Sequence, residues 1–151
     1  MANDLQNRVD AVLKAFADLS EYSETTVAVV FASRVEDALE YGIKAKMRAD
    51  LSSSLSDRLF KHYGPLTTFS GKIDIAHAFS VIGAESYSDL RAIKDIRNRF
   101  AHSKNVMRFD SPEIAPLLQK LSGWTAKAKR MELFMERCIT RAAEFEPHEP
   151  R

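Results

Sequence analysis

A chain of 151 residues with 45% apolar and 28% charged side chains is long enough to bury one core without metal or disulfide staples, and it is not disordered in composition. Its net charge is only +1 and Cys138 is its sole cysteine, which excludes an intrachain disulfide framework and fits a reducing, cytoplasmic setting. The start, Met1-Ala2-Asn3-Asp4, lacks the charged and apolar regions of a signal peptide, and the run Val27 to Ala32 is too short to span a bilayer.

The apolar spacing predicts helices throughout. Leu5, Val9, Val12, Leu13, Phe16 and Leu19 form the stripe of a first amphipathic helix. A second is expected over Thr25 to Met47, with Val27, Phe31, Val35, Ala38, Leu39 and Gly42 on one face. Its β-branched opening resembles a buried strand, but the 3.6-residue period continues without a breaker and decides for helix. Leu51 to Ser56 reads as a serine-rich loop. A short helix over Asp57 to His62 should stop at Tyr63-Gly64-Pro65, with glycine as C-cap.

The connector Gly64 to Phe69 should be rigid, with Phe69 plugging the core. The next helix is expected over Gly71 to Ile82. Ser86 with Asp89 then suggests a capping box, and Ser111-Pro112-Glu113 a further helix start running toward Gly123. A last helix is expected over Trp124 to Phe145, followed by a frayed tail, 147–151. The expected architecture is an all-α, single-domain helical bundle over 1–146. Val27, Phe31, Val35, Ile75, Phe79, Ile93, Ile96 and Phe100 should share its core.

Charge is unevenly distributed. Between Arg91 and Arg108 lie Arg91, Lys94, Arg97, Arg99, Lys104 and Arg108 against Asp95 alone, a basic patch suited to phosphate or acidic partners. On a helical wheel with Leu90 at zero, Ile93, Ile96 and Phe100 fall at about 300°, 240° and 280°, whereas Arg97 falls at about 340°. Arg97 therefore points along the apolar face and needs an anionic partner; Glu36, Asp37 and Asp74 are the helical candidates. If such a pair is structural, losing one member costs about 3–5 kcal/mol. His102 lies about 140° away from Arg97 on the same wheel, so one straight helix cannot turn both into one pocket. The helix must unwind near Ala101, or another helix or subunit must complete the pocket.

Arg97-Asn98-Arg99-Phe100-Ala101-His102 matches the R-x4-6-H signature of HEPN domains, with a polar residue directly after the arginine. Further blocks occur in the order seen in the mannitol operon repressor family. These are Val35-Glu36-Asp37-Ala38-Leu39, Leu59-Phe60 with Gly64-Pro65-Leu66, Phe69-Ser70-Gly71-Lys72-Ile73-Asp74-Ile75-Ala76, Ile96 to His102, and Asp110 with Pro112-Glu113-Ile114. The chain resembles that family over residues 25–114, departing from it at Ser70-Gly71-Lys72, where the family has serine-alanine-arginine.

The resemblance implies a HEPN-like bundle, a homodimer, and a role in carbohydrate-operon transcription. It equally raises the HEPN ribonuclease alternative, a toxin-like, metal-independent cleavage of RNA. There His102 would act as acid/base, Arg97 as phosphate clamp and Asn98 as a positioning group. Direct operator reading is disfavoured by the residues themselves. The only turn for a helix-turn-helix is at Gly83, and Phe79 and Asp89 stand where that motif wants a small and an apolar residue. A non-enzymatic regulator acting through a protein partner is the preferred expectation. No cofactor is implied, and His62, His77, His102 and His148 lack metal-ligand spacing.

Overall fold

The computed structural model describes residues 2–17 and 23–147; Leu19 of the first stripe and residues 148–151 of the expected tail, with His148, lie outside them. Among the described residues there are seven helices and no strand. These are α1 (Ala2–Ala17), α2 (Glu24–Ala45), α3 (Ser53–Phe60), α4 (Phe69–Ala78), α5 (Ala84–His102), α6 (Ala115–Leu118) and α7 (Arg130–Ala143). None of these described helices is long and apolar enough to cross a membrane.

Val27 to Phe31 is helical, as the unbroken period requires. α2 begins where the Ser23 hydroxyl accepts from the Thr26 amide, and it buries Val27, Phe31, Val35, Leu39 and Ile43 along one face. That face packs on α7, α5 and α4, and α5 is itself packed by α2, α4, α6 and α7. The core between them holds Phe69, Ile73, Leu90, Ile93, Ile96, Phe100, Phe109, Leu118 and Phe134. α1 lies against α7 with Val9 buried, and Arg8 reaches Glu146 at 2.6 Å. Phe145 seats on Gly42 of α2. A β-carbon at Gly42 would stand 2.2 Å from the phenyl ring, so only glycine admits this approach.

Several boundaries differ from expectation, each for a local reason. Leu51 to Ser56 is not simply a loop. Ser52 accepts from the Leu55 amide as an N-cap, so α3 starts at Ser53 and ends at Phe60. Gly64 does not cap that helix; a β-carbon there would lie 2.2 Å from the Arg58 carbonyl and 2.4 Å from that of Leu59, so glycine permits the chain to cross the last turn. Thr68 caps α4 through the Gly71 amide, two residues earlier than the expected start.

The far end of α4 corrects the core assignment. The Val81 amide bonds the Ala76 carbonyl at 2.8 Å and the Ser80 amide bonds that of His77 at 3.0 Å, with Ser80 at φ 57°. This is a Schellman ending with serine in the place usually given to glycine. The helix therefore stops at Ala78 rather than Ile82. Phe79, expected in the core, leaves the helical stripe and is 75% exposed, while Ile75 is half-buried.

Ser86 does not cap α5. The helix opens at Ala84 after Gly83, and Ser86 and Asp89 are buried side chains inside it. Ser111 does accept from a backbone amide, that of Arg108, but the residues after it form turns and only Ala115–Leu118 is helical. The last helix starts at Arg130 rather than Trp124 and stops at Ala143.

Candidate functional site

α5 carries the R-x4-H motif as a regular helix through His102, with no unwinding near Ala101. The wheel geometry then separates the two residues. The Arg97 guanidinium turns toward α2 and α4, 24% exposed, and its Nη1 donates to Glu36 Oε2 at 3.2 Å. It also lies 5.4 Å from the centre of the Phe69 ring, while its Nε donates to Asn98 Oδ1 at 3.2 Å. Of the three candidate acids, Glu36 is the partner. Asp74 instead accepts from Arg91 at 3.3 Å and from the Tyr87 hydroxyl at 3.2 Å, and Asp37 is exposed.

Glu36 is shared. Buried Lys72 of α4 donates to Glu36 Oε1 at 3.0 Å and reaches Glu40 Oε2 at 3.0 Å, and Glu40 also holds Lys44 at 2.6 Å. Burial alone would lower the Lys72 pKa, but hydrogen bonds to Glu36 and Glu40 outweigh it and hold the ammonium above the ordinary lysine value. Glu40 is opposed by burial in the same way, yet its bonds to Lys44 and Lys72 keep it below the usual carboxylate value. Arg97 thus belongs to a chain of alternating charges joining α5, α2, and α4.

His102 opens elsewhere. It is exposed at the end of α5 and lines a cleft of about 660 Å³ with Asp95, Asn98, Arg99, Ser103, Met107, Glu113 and Leu117. Arg97 is not among the lining residues. The cleft is lined by one guanidinium, two carboxylates and the apolar side chains of Met107 and Leu117, so it is mixed in charge rather than basic.

Four cations of the basic patch are paired, three with acids from other parts of the chain and one with Asp95 inside the patch. Besides Arg97 with Glu36 and Arg91 with Asp74, Lys94 bonds Asp95 at 2.8 Å and Arg108 reaches Glu24 at 3.3 Å. Arg99 and Lys104 are exposed and make no ion pair among the described residues. The local excess of cations therefore does not become a broad phosphate-attracting surface. No group of three or more His, Cys, Asp or Glu side chains among the described residues is placed to hold a metal ion.

The most heavily bonded polar centre was not anticipated from the sequence. Arg141 of α7 is 7% exposed, and its Nε donates to buried Asp89 of α5 at 2.9 Å. Its Nη1 donates to Ser86 Oγ at 2.9 Å and to Glu144, and its Nη2 to Glu85 at 2.5 Å. Asp89 also accepts from the Ser122 amide at 2.7 Å and the Ser122 hydroxyl at 2.6 Å. Burial opposes the Arg141 charge, but the bonds to Glu144, Glu85 and Asp89 overcome it and raise its pKa. Neighbouring Cys138 is pushed well above the usual thiol value by burial and then by Asp89, which leaves it a packing group rather than a nucleophile. With its guanidinium saturated, this centre clamps α5, α7 and the turn at Ser122 together.

The signal for Asp89 lay on the same wheel that singled out Arg97. Asp89 falls at about 260°, in the middle of the Ile93–Ile96–Phe100 stripe. Comparison with family models, with curated proteins and with solved structures finds no match to this chain.

Proposed function

We propose that this protein is a non-enzymatic regulator of the HEPN-like, mannitol operon repressor type, acting through a protein partner on carbohydrate-operon transcription. The observation that carries this reading is the separation of the motif. Arg97 is committed to Glu36 and Phe69, while His102 faces a different cleft that holds two carboxylates. A phosphate clamp and an acid/base group that do not meet cannot act on one phosphodiester within one chain. The mixed cleft, lined by Arg99, His102 and Glu113 together with Met107 and Leu117, suits a protein segment that is polar with an apolar side chain or two.

The ribonuclease alternative keeps one specific support: His102 is exposed beside Asn98 and Arg99 in an open cleft. The two readings are separated by incubating pure protein with single-stranded RNA in chelator. The regulator reading expects no cleavage and expects deletion of the gene to change expression of a sugar-transport operon, with Arg99→Glu failing to complement. Metal-independent cleavage lost on His102→Ala would overturn it.

A further inference from the structure

A cavity of about 450 Å³ is formed where the end of α2 meets the end of α4, and none of its residues lines the cleft around His102. Ile43 and Met47 line it from the α2 end and Ile75, Phe79 and Val81 from the α4 end. Ile43 is buried, Met47, Ile75 and Val81 are half-buried and Phe79 is exposed, so this apolar lining runs from the core out to solvent. Its two polar side chains are Lys46 and Ser80, and no carboxylate is among them. Ser80 holds φ 57°, a left-handed conformation that costs a residue with a side chain, and strain of this kind recurs at ligand sites. Lys46 belongs to a basic cluster with Lys44 and Arg48. Lys44 pairs with Glu40 and Arg48 with Asp50, whereas Lys46 forms no ion pair among the described residues.

We infer that this cavity binds a small amphipathic monocarboxylate, with a medium-length aliphatic chain among the five apolar side chains and the carboxylate on the Lys46 ammonium. The volume lies within the range of small-molecule sites, roughly 300–1,000 Å³, and a mostly apolar lining with few polar groups is what such sites have. A seated chain covers part of Phe79, the large apolar side chain that the ending of α4 leaves in water, and unbranched Met47 adapts to its shape. Charge decides the head group. The lining carries one cation and no acid, and that cation is the member of its cluster without a partner of its own. A carboxylate gains a charge-assisted hydrogen bond there, an alcohol forgoes the charge, and an amine meets like charge. A phosphate dianion finds neither a second cation nor a guanidinium fork on the lining. A polyol needs many donors and acceptors and meets only two polar side chains. The inference goes beyond the regulatory reading and does not rest on it.

The test is an amide chemical-shift titration of the full chain with octanoate, and with octanol and octylamine as probes of equal chain length. Octanoate is expected to bind saturably in the millimolar range or tighter, moving the amides of Met47, Phe79 and Val81. Octanol should bind about fivefold more weakly or worse, and octylamine more weakly still. Lys46→Gln should bring octanoate down to the affinity of octanol without changing octanol itself, and Lys46→Arg should keep the preference for the acid. Phe79→Ala should weaken the acid and the alcohol alike. Both positions are exposed, so helical circular dichroism should be unchanged in all three variants. No saturable octanoate binding in the millimolar range, equal affinity for octanol, or shifts confined to the cleft around His102 would each overturn the inference. So would a Lys46→Gln protein that binds octanoate as tightly as wild type.

Discussion

Arg97 and Arg141 pose the same physical problem in two parts of the molecule and solve it differently. Each is an arginine on the apolar side of a helix, and each reaches across to a carboxylate on another helix. Arg141 sits against three carboxylates and the Ser86 hydroxyl, and its principal partner, Asp89, has no other cation bonded to it among the described residues. Arg97 is more open, and its single carboxylate is also held by Lys72. The contrast teaches that an arginine's place in an apolar stripe tells less than what its partner has left when the arginine is gone. Glu36 would keep a cation; Asp89 would be stranded.

The largest expected effect follows from that stranding. Arg141→Ala leaves Asp89 buried without a countercharge and should cost about 3–5 kcal/mol, read as a lowered midpoint in urea unfolding. Arg141→Lys should recover only part of it, since an ammonium cannot reproduce the fork that meets Asp89 and Ser86 together. Arg97→Ala should cost less, about 1–2 kcal/mol, because Lys72 still neutralises Glu36 and water reaches the site. This is below the cost expected from the sequence, which assumed an exclusive buried pair. A larger loss at Arg97 than at Arg141 would break the comparison.

The Lys72 and Glu40 bonds sharpen it through pH. Glu40 has a lowered pKa in the fold, so its contribution is fully present above the unfolded value of about 4.3 and is lost as pH falls through the lower folded value. Lys72 has a raised pKa, so its contribution is complete below the unfolded value of about 10.4 and is lost as pH rises through the higher folded value. Thermal midpoints should therefore depend little on this network near neutrality, and Glu40→Gln should flatten the acid limb of the profile. The smallest effect belongs to His102→Ala. An exposed side chain at a helix end, with no hydrogen bond described, should leave the urea midpoint where it was.

Much of the bundle was legible because periodicity is local. The β-branched run Val27 to Phe31 was correctly a helix, and the wheel correctly turned Arg97 and His102 apart. Glu36 stood among three acids that the wheel alone could not rank. What escaped were choices settled by distant residues. Ser86 and Asp89 have the spacing of a capping box, yet Arg141, more than fifty positions later, draws both inward. The basic patch looked unopposed because Glu24, Glu36 and Asp74 lie far from it in sequence. Phe79 looked like core until a serine adopted the left-handed turn that ends α4 one residue before it.

The fit of Phe145 over Gly42 has a consequence for how the protein comes off the ribosome. α2 is made early, but the surface its buried face packs against most extensively belongs to α7, which follows the six other described helices in the chain. Until α7 emerges, Val27, Phe31 and Val35 have only part of their final cover, and the nascent chain carries an apolar strip open to chaperones or to neighbouring chains. Contacts of such long sequence separation also slow the search for the native state relative to a bundle of sequential hairpins. Closure of this domain is thus an event of late synthesis, timed by the arrival of the helix that brings Phe145 to the one residue on α2 small enough to receive it.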